Sequence, residues 1–288
     1  MGKEFIAGVS FADNAAQVAV LKLHRGNITV VHLEEYKSGS KDDLWFLESF
    51  RRKESKIFKK LSKVSVALDG SMLLQHSFPM DSTLSEDDRR EHILWEMSNF
   101  LPGKSPGEHA LDARVLREGS TEGVTEMFVA SASRPYILRI AEELEDHNYE
   151  LQIVDTIYFA GQYSLAVNYP ELQKNIALAS VGEQRVDAGI LEEGNLVSFR
   201  SFTGASPVER AEQLVHFMRE EEVNSAQIFG SGCSFGFIKT LQGNGNVEVT
   251  KMNPFRRVQM SSDLVDSGMA RGQEHRFASC VGIALRKE

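Results

Sequence analysis

Residues 4–35, with the sequence EFIAGVSFADNAAQVAVLKLHRGNITVVHLEE, form the stretch that decides the fold. Three predominantly apolar runs, 4–11, 17–24 and 28–35, are separated by two short turns. The middle run alternates polar and apolar side chains, which is the pattern of a strand with one buried face. Gly26 can adopt a positive φ in the second turn. The stretch therefore predicts a three-stranded meander with a tight turn.

The same order of elements returns in the second half of the chain. Residues 175–202, NIALASVGEQRVDAGILEEGNLVSFRSF, predict three further strands joined by turns at 182–184 and 193–195. In both halves a helix and another strand follow the meander. Such repetition indicates two lobes of similar architecture, which we place at 1–174 and 175–288.

Between the first meander and the second half, the pattern predicts further elements, the later of which form a smaller unit. A helix is expected from about Asp42 to Leu61, and a strand at 72–78 should end at Pro79. Ser85 and Asp88 then have the spacing of a capping box at the start of a helix. Strand, turn, strand and a second helix follow. We expect a small inserted α+β subdomain at about 82–150.

Composition and charge restrict the function classes. The net charge of −9 argues against general nucleic-acid binding, which needs a basic face. We expect a cytoplasmic chain with reduced cysteines, because its start lacks a signal-peptide pattern and no apolar run is long enough for a spanning helix. One basic cluster is expected to be a solvated helix face, with an anionic membrane surface as the alternative. It contains Arg51, Arg52, Lys53, Lys56, Lys59 and Lys60.

Motifs for catalysis are weak. The eight histidines have no metal-ligand spacing, and the Gly230-Ser231-Gly232 turn is not a nucleophile elbow. Cys233 has no identifiable base beside it, so a buried thiol is the favoured interpretation. There is no full Walker A motif and no GxGxxG after a strand. No enzyme class follows from these residues alone.

Five stretches in a fixed order carry a family resemblance. They are 8–21 (GVSFADNAAQVAVL), 84–116 (the first helix and strand of the insert), 127–165, 175–202 and 226–232 (AQIFGSG). Together they resemble the PilM family of actin-like proteins of type IV pilus assembly, and more distantly the cell-division protein FtsA. The resemblance implies an actin-like ATPase, or ribonuclease H-like, fold of two lobes with a small inserted α+β subdomain.

The resemblance also implies a nucleotide site, from which this chain departs. The family's first-loop aspartate falls at Ser10, its lysine at Gln17 and its second-loop aspartate at Ser180. Mg²⁺ relies on carboxylates in such sites, so we expect a degenerate site, no catalytic or metal-binding residues, and neither ATP nor Mg²⁺ as cofactor. The matching positions are Ser10, Ala12, Asp13, Gln17, Ser180, Gly182, Glu183, Gly230 and Gly232.

Two further points concern this site. Between Phe202 and Ala226 there is room for one helix only, whereas the family inserts a small subdomain on the adenine side, so a shortened second lobe is expected. Conversely, Asp13, Glu183 and Asp187 lie in or near the two turns and could replace the missing carboxylates. An actin-like protein that binds or hydrolyses ATP through an atypical site is therefore the alternative function.

The leading function implied by the resemblance is a non-catalytic scaffold. PilM-like proteins lie on the cytoplasmic side of the inner membrane and bind the N-terminal cytoplasmic segment of the membrane protein PilN. The groove for that segment lies between the first lobe and the insert. Candidate groove residues here are Leu94, Met97, Leu101 and Phe128, with the core of the insert as the alternative for each. Other pilus assembly proteins are possible further partners, and nucleic acid is not expected.

Two other relatives were weighed. A small-molecule kinase of the same superfamily needs a catalytic carboxylate, and the expected loop positions hold no acidic residue. The cytoplasmic part of the type II secretion protein GspL is also related, but that protein continues into a membrane span. Pilus and secretion machinery are not distinguished by these residues.

Overall fold

The computed structural model describes residues 4–12, 15–37, 57–101, 106–118, 123–172, 174–268 and 270–286. Most of the helix predicted between Asp42 and Leu61 lies outside these residues. The strands in the described part of the chain are β1 (Glu4–Ala12), β2 (Ala15–His24), β3 (Asn27–Lys37), β4 (Lys63–Leu68), β5 (Leu74–Asp81), β6 (His109–Glu118), β7 (Val124–Ser133), β8 (Glu150–Thr156), β9 (Ile176–Val181), β10 (Arg185–Glu192), β11 (Asn195–Thr203), β12 (Ser225–Phe229), β13 (Glu248–Lys251) and β14 (Gln259–Met260).

The helices in the described part of the chain connect these strands, and the last helix follows β14. None of them has the length and hydropathy that a membrane crossing requires. They are α1 (Glu86–Phe100), α2 (Arg134–Glu145), α3 (Ile157–Asn168), α4 (Pro207–Glu220), α5 (Phe235–Gly245), α6 (Ser262–Ser267) and α7 (Ala278–Leu285), with short 3-10 turns at Phe58–Lys60, Gly70–Met72, Pro106–Glu108 and Glu274–Phe277.

The first lobe is built on a six-stranded sheet with the order β14-β3-β2-β1-β4-β8. Its first three strands confirm the predicted antiparallel meander, and β4 and β8 continue it in parallel. The β2–β3 turn has positive φ at Arg25 and Gly26. Ile140 and Leu144 of α2 pack on one face of the sheet, and Val281 and Ala284 of α7 pack on the other.

The second lobe repeats the arrangement with the strand order β11-β10-β9-β12-β13. Its meander is antiparallel and β12 and β13 extend it in parallel, again as predicted. Helices α4 and α5 cover one face, with Leu214, Phe217 and Phe237 among the buried side chains. Helix α3 packs on the other face and so lies between the lobes. A single helix, α4, joins β11 to β12.

The insert is a three-stranded antiparallel sheet with the order β5-β7-β6, and α1 packs on one of its faces. This sheet takes in β5, which precedes the predicted boundary of about 82, whereas α2 and β8 belong to the first lobe. The prediction that Pro79 ends the strand is wrong, because β5 continues to Asp81. Pro79 is tolerated there because β5 is an edge strand, where a missing N–H can face away from the sheet.

The helix start predicted at Ser85 is confirmed by its capping bonds, and Ser206 caps α4 in a similar way. Ser85 Oγ accepts a hydrogen bond from Asp88 N at 3.2 Å and donates one to the Asp88 carboxylate at 2.6 Å. Ser206 Oγ accepts from Glu209 N at 3.1 Å. Each serine satisfies a backbone donor that the first helical turn leaves without an intrahelical partner.

Candidate functional site

A cleft opens between the lobes at the ends of β1, β9 and β12. Six of the nine predicted nucleotide positions line it, while Glu183 and Gly232 do not, and Asp13 lies outside the described residues. The cavity in the cleft measures about 20 Å³, which is room for one water molecule. The cleft is lined by Ser10, Ala12, Gln17, Asp69, Ile157, Ser180, Val181, Gly182, Arg185, Asp187, Gly230, Ser231, Arg276 and Ser279.

On the first-lobe side, the polar side chains of the cleft bond to one another. Ser10 and Gln17 face each other across the β1–β2 hairpin, and both are buried. Gln17 Oε1 accepts from Ser10 Oγ at 3.2 Å, and Gln17 Nε2 donates to Glu35 at 3.3 Å. Glu35 in turn forms an ion pair with Arg276 at 2.7 Å. The groups at the position of the first phosphate loop are therefore engaged within the protein.

The second-lobe side holds a buried ion pair. Arg185 Nε donates to Asp187 Oδ1 at 2.7 Å, and Ser201 Oγ donates to the same oxygen at 2.6 Å. Burial raises the pKa of Asp187, and the Arg185 charge and these hydrogen bonds oppose that effect. Asp69, the other carboxylate that lines the cleft in the described residues, accepts from Ser71 N at 2.8 Å. Asp187 is thus paired with a guanidinium, in contrast to a metal-binding carboxylate.

The glycine loops pack directly against each other. Gly230 has a φ of +106°, and a Cβ added to Gly232 would overlap the carbonyl oxygen of Gly182. Gly232 N donates to Val181 O at 2.8 Å. This backbone donor is consumed by the protein, so it is not presented to a phosphate. The close approach of the two loops is the physical reason for glycine at these positions.

The residues that line the cleft do not fit Mg-ATP. Serines occupy both carboxylate positions, and the carboxylates present are engaged by protein donors. Within the described ranges, His, Cys, Asp and Glu side chains form no group of three or more that could hold a metal ion. The space admits about one water molecule, far less than a nucleotide.

A second concave site lies between the first lobe and the insert, and we call it the groove. Its cavity measures about 140 Å³. Strands β6 and β8 border it, and each is the last strand of its sheet in the described structure. The lining residues are Leu68, Leu73, Ala110, Leu111, Asp112, Arg114, Phe128, Ala130, Ser131, Ala132, Ile137, Val154, Asp155, Thr156, Phe159 and Arg286.

Of the predicted groove residues, the structure places only Phe128 in the groove. Met97 is fully buried on the opposite face of the insert sheet, where it packs with Met127 and Val129. Because side chains alternate along a strand, Phe128 must point away from that cluster. Leu94 and Leu101 do not line the groove either. For Met97, packing in the core of the insert is what the structure shows.

Sequence reasoning missed most of the groove, including Arg114, Ile137 and Val154. One signal could have indicated part of it, since the carboxyl ends of neighbouring parallel strands are a common site for ligands. Here β4 ends at Leu68 and β8 ends at Thr156, and both residues line the groove.

The groove combines an apolar floor with charged groups at its border. The Arg114 guanidinium lies 4.0 Å from the ring centroid of Phe159. Arg286 forms an ion pair with Asp155. Burial lowers the pKa of Arg286, and the nearby Arg114 charge adds to that effect. The border of the groove thus holds two guanidinium groups and the carboxylates of Asp112 and Asp155, and Arg114 can donate to acceptor oxygens on whatever enters the groove.

Comparisons with known proteins address the fold. No protein-family model and no curated protein matches the sequence. A solved structure of the PilM-PilN type IV pilus biogenesis complex is similar, with 16% identity, 98% of each chain covered and a TM-score of 0.79. A Bacteroides thetaiotaomicron protein with an actin-like ATPase fold and unknown function has 13% identity, covers 87% and 91% of the two chains, and has a TM-score of 0.57. The fold is actin-like.

A third solved structure agrees with that assignment. The ethanolamine utilization protein EutJ from Carboxydothermus hydrogenoformans is 9% identical, covers 99% of this chain and 90% of its own, and has a TM-score of 0.51. The predicted actin-like fold is thereby confirmed. Since actin-like folds host many functions, the activity has to be argued from the cleft and the groove.

Proposed function

We propose that this chain is an actin-like scaffold of a type IV pilus or related secretion assembly platform, acting without ATP hydrolysis. The groove binds the N-terminal cytoplasmic segment of a PilN-like inner-membrane protein, which brings the scaffold to the cytoplasmic face of that membrane. One observation carries the proposal: the apolar cavity of the groove lies between two strands that each end a sheet in the described part of the chain. The similarity in fold to a PilM-PilN structure supports the identity of the partner.

The geometry suits an extended peptide. An end strand has unpaired backbone N–H and C=O groups, and an added strand can bond to them. Alternate side chains of such a peptide would point toward the apolar floor, which includes Leu68, Phe128 and Phe159. Arg114 has no carboxylate partner among the described residues, so it can donate to peptide carbonyl groups.

The cleft supports the non-catalytic part of the proposal. Phosphoryl transfer depends on positioned metal ions and charged groups around the phosphates. Here Ser10 and Gln17 bond to each other, and Asp187 is paired with Arg185. The working surface of the protein is then the groove.

A binding measurement with a matched pair of variants tests the proposal. The probe is a fluorescent synthetic peptide with the N-terminal cytoplasmic sequence of a PilN-like protein encoded nearby. Ile137 and Leu138 are neighbours on α2, but Ile137 lines the groove and Leu138 is 59% exposed outside it. Ile137→Arg should weaken peptide affinity roughly tenfold or more, and Leu138→Arg should leave it unchanged.

Two results would contradict the proposal. One is that the wild-type chain does not bind the peptide. The other is that both arginine variants bind it as the wild type does, which would place the peptide elsewhere. Circular dichroism of each variant shows whether the fold is retained.

A further inference from the structure

Arg185 joins the second lobe to the insert. Its Nη2 donates to Ser201 Oγ at 2.7 Å and to Gln75 Oε1 at 2.9 Å. Ser201 lies on β11 of the second lobe, whereas Gln75 lies on β5 of the insert. The ion pair with Asp187 holds the guanidinium in place. One side chain therefore connects two units that are far apart in sequence.

Asp187, the partner of Arg185, also contacts the first lobe. A Cβ added to Gly70, in the turn after β4, would overlap the Asp187 carboxylate. That close approach requires glycine at position 70. First lobe, second lobe and insert thus meet at Arg185 and Asp187, in the cleft that fits no nucleotide.

Gln75 is also connected to the groove. It pairs with Ala130 across β5 and β7, and Ala130 lines the groove. Phe128, two residues earlier on β7, has its ring centroid 4.7 Å from that of Phe199 in the second lobe and 5.6 Å from that of Phe159. A shift of the second lobe relative to the insert would therefore move one wall of the groove.

We propose that Arg185 is a latch that holds the insert against the second lobe and so sets the width of the groove. This inference rests on the proposed function, since it concerns the regulation of the same peptide site. In the latched form, the Arg185–Asp187 pair lines the cleft, which has room for about one water molecule. A peptide that binds the latched form more tightly shifts the chain toward that form. By thermodynamic linkage, a variant with a weaker latch has a lower affinity for the peptide.

Gln75 offers the cleanest test, because its substitution leaves the Arg185–Asp187 pair intact. Gln75→Ala removes the Arg185 hydrogen bond to the insert, while the Arg117–Glu221 ion pair remains, and it should weaken peptide affinity about fivefold or more. Gln75 Nε2 is buried without a hydrogen-bond partner in the described structure, so Gln75→Glu loses no bond from that atom. It keeps an acceptor for Arg185 and should bind the peptide more tightly than Gln75→Ala.

Arg200 provides the matched control. It lies on β11 like Ser201, but it pairs with Glu220 on the surface of the second lobe and does not reach the insert. Arg200→Met should leave peptide affinity unchanged. Hydrogen exchange of β5 and β7 should be faster in Gln75→Ala than in the wild type, and unchanged in Arg200→Met.

The outcomes separate the latch from the proposed function. If the wild type fails to bind the peptide, the proposed function fails, and hydrogen exchange alone then decides whether Gln75 holds the insert. If the wild type binds and Gln75→Ala binds equally well, the latch is refuted while the peptide site stands. Equal losses in Gln75→Ala and Gln75→Glu would also refute it.

Discussion

Gly282 on α7 packs directly against Ala160 on α3, so that a Cβ added to Gly282 would overlap the Ala160 carbonyl oxygen. At this contact the backbones of α3 and α7 approach each other without an intervening side chain. Gly282→Ala should therefore lower the free energy of unfolding by about 3 kcal/mol, because overpacking forces the backbone to shift. Urea denaturation measures the change.

Gly236, in the first turn of α5, is the control for this substitution. A Cβ added there would meet no atom within 4 Å. Gly236→Ala should be neutral or stabilise the protein by up to about 1 kcal/mol, because alanine favours the helix. A similar response of the two variants would show that the close helix contact is not what constrains Gly282.

The sequence could predict the helix of Gly282 but not its close contact. Apolar residues over 275–286 indicate a closing helix, and the structure has a 3-10 turn at Glu274–Phe277 followed by α7. The two meanders were predictable because alternation and turn glycines are local signals. Which helix approaches Gly282 depends on how the lobes pack, and residues far apart in sequence determine that.

Nucleotide binding can be tested directly. Millimolar Mg-ATP should leave the thermal unfolding curve of the wild-type chain unchanged, because Ser10 and Gln17 are bonded to each other and Asp187 to Arg185. A genuine ligand at about 100 times its Kd would add about 2.7 kcal/mol of stability. Differential scanning calorimetry with and without Mg-ATP measures the shift. A concentration-dependent rise in Tm would favour the alternative of an atypical ATP site.

The cleft shows where sequence reasoning worked and where it stopped. The departures at Ser10 and Ser180 could be recognised from the order of motifs, and six predicted positions do meet in one cleft. Nothing local indicated that Arg185 would reach Gln75, because 110 residues separate them. The groove was difficult to predict for the same reason. Phe128 was predicted as a groove residue, but the face of the sheet to which its side chain points depends on strand register.

His275 should give the protein a pH-dependent stability. Burial, followed by the positive charges of Lys251 and Arg276, lowers the pKa of His275 to about 4 in the folded chain. The unfolded chain, with an ordinary pKa of about 6.5, binds a proton below that pH while the folded chain does not. Folding stability is therefore lost as the pH falls from about 6.5 to about 4, by roughly 2 kcal/mol at pH 5.

A difference measurement isolates this effect from other titrating groups. In His275→Leu, the loss of stability between pH 7 and pH 5 should be smaller than in the wild type by about the same 2 kcal/mol. His216, whose side chain is 72% exposed on α4, serves as the control. His216→Leu removes a surface ion pair with Glu220 and should retain most of the wild-type loss of stability between pH 7 and pH 5 in urea denaturation. Parallel profiles for the wild type and His275→Leu would show that His275 does not titrate abnormally.

Substitutions of Met97 and Trp95 on α1 compare a core position of the insert with a surface position. Met97 is fully buried against Phe78, Met80 and Met127, whereas Trp95 is 60% exposed. Met97→Ala should lower the free energy of unfolding by about 2–4 kcal/mol through loss of apolar contacts and a residual cavity. Trp95→Ala should change it by less than about 0.5 kcal/mol.

Peptide binding distinguishes this core from the groove on the other face of the same sheet. At a temperature where Met97→Ala remains folded, both variants should bind the PilN-like peptide with wild-type affinity, since neither side chain lines the groove. Fluorescence anisotropy of the labelled peptide measures this, with Ile137→Arg as the variant that loses binding. A selective loss of affinity in Trp95→Ala would instead place the peptide on the exposed face of α1.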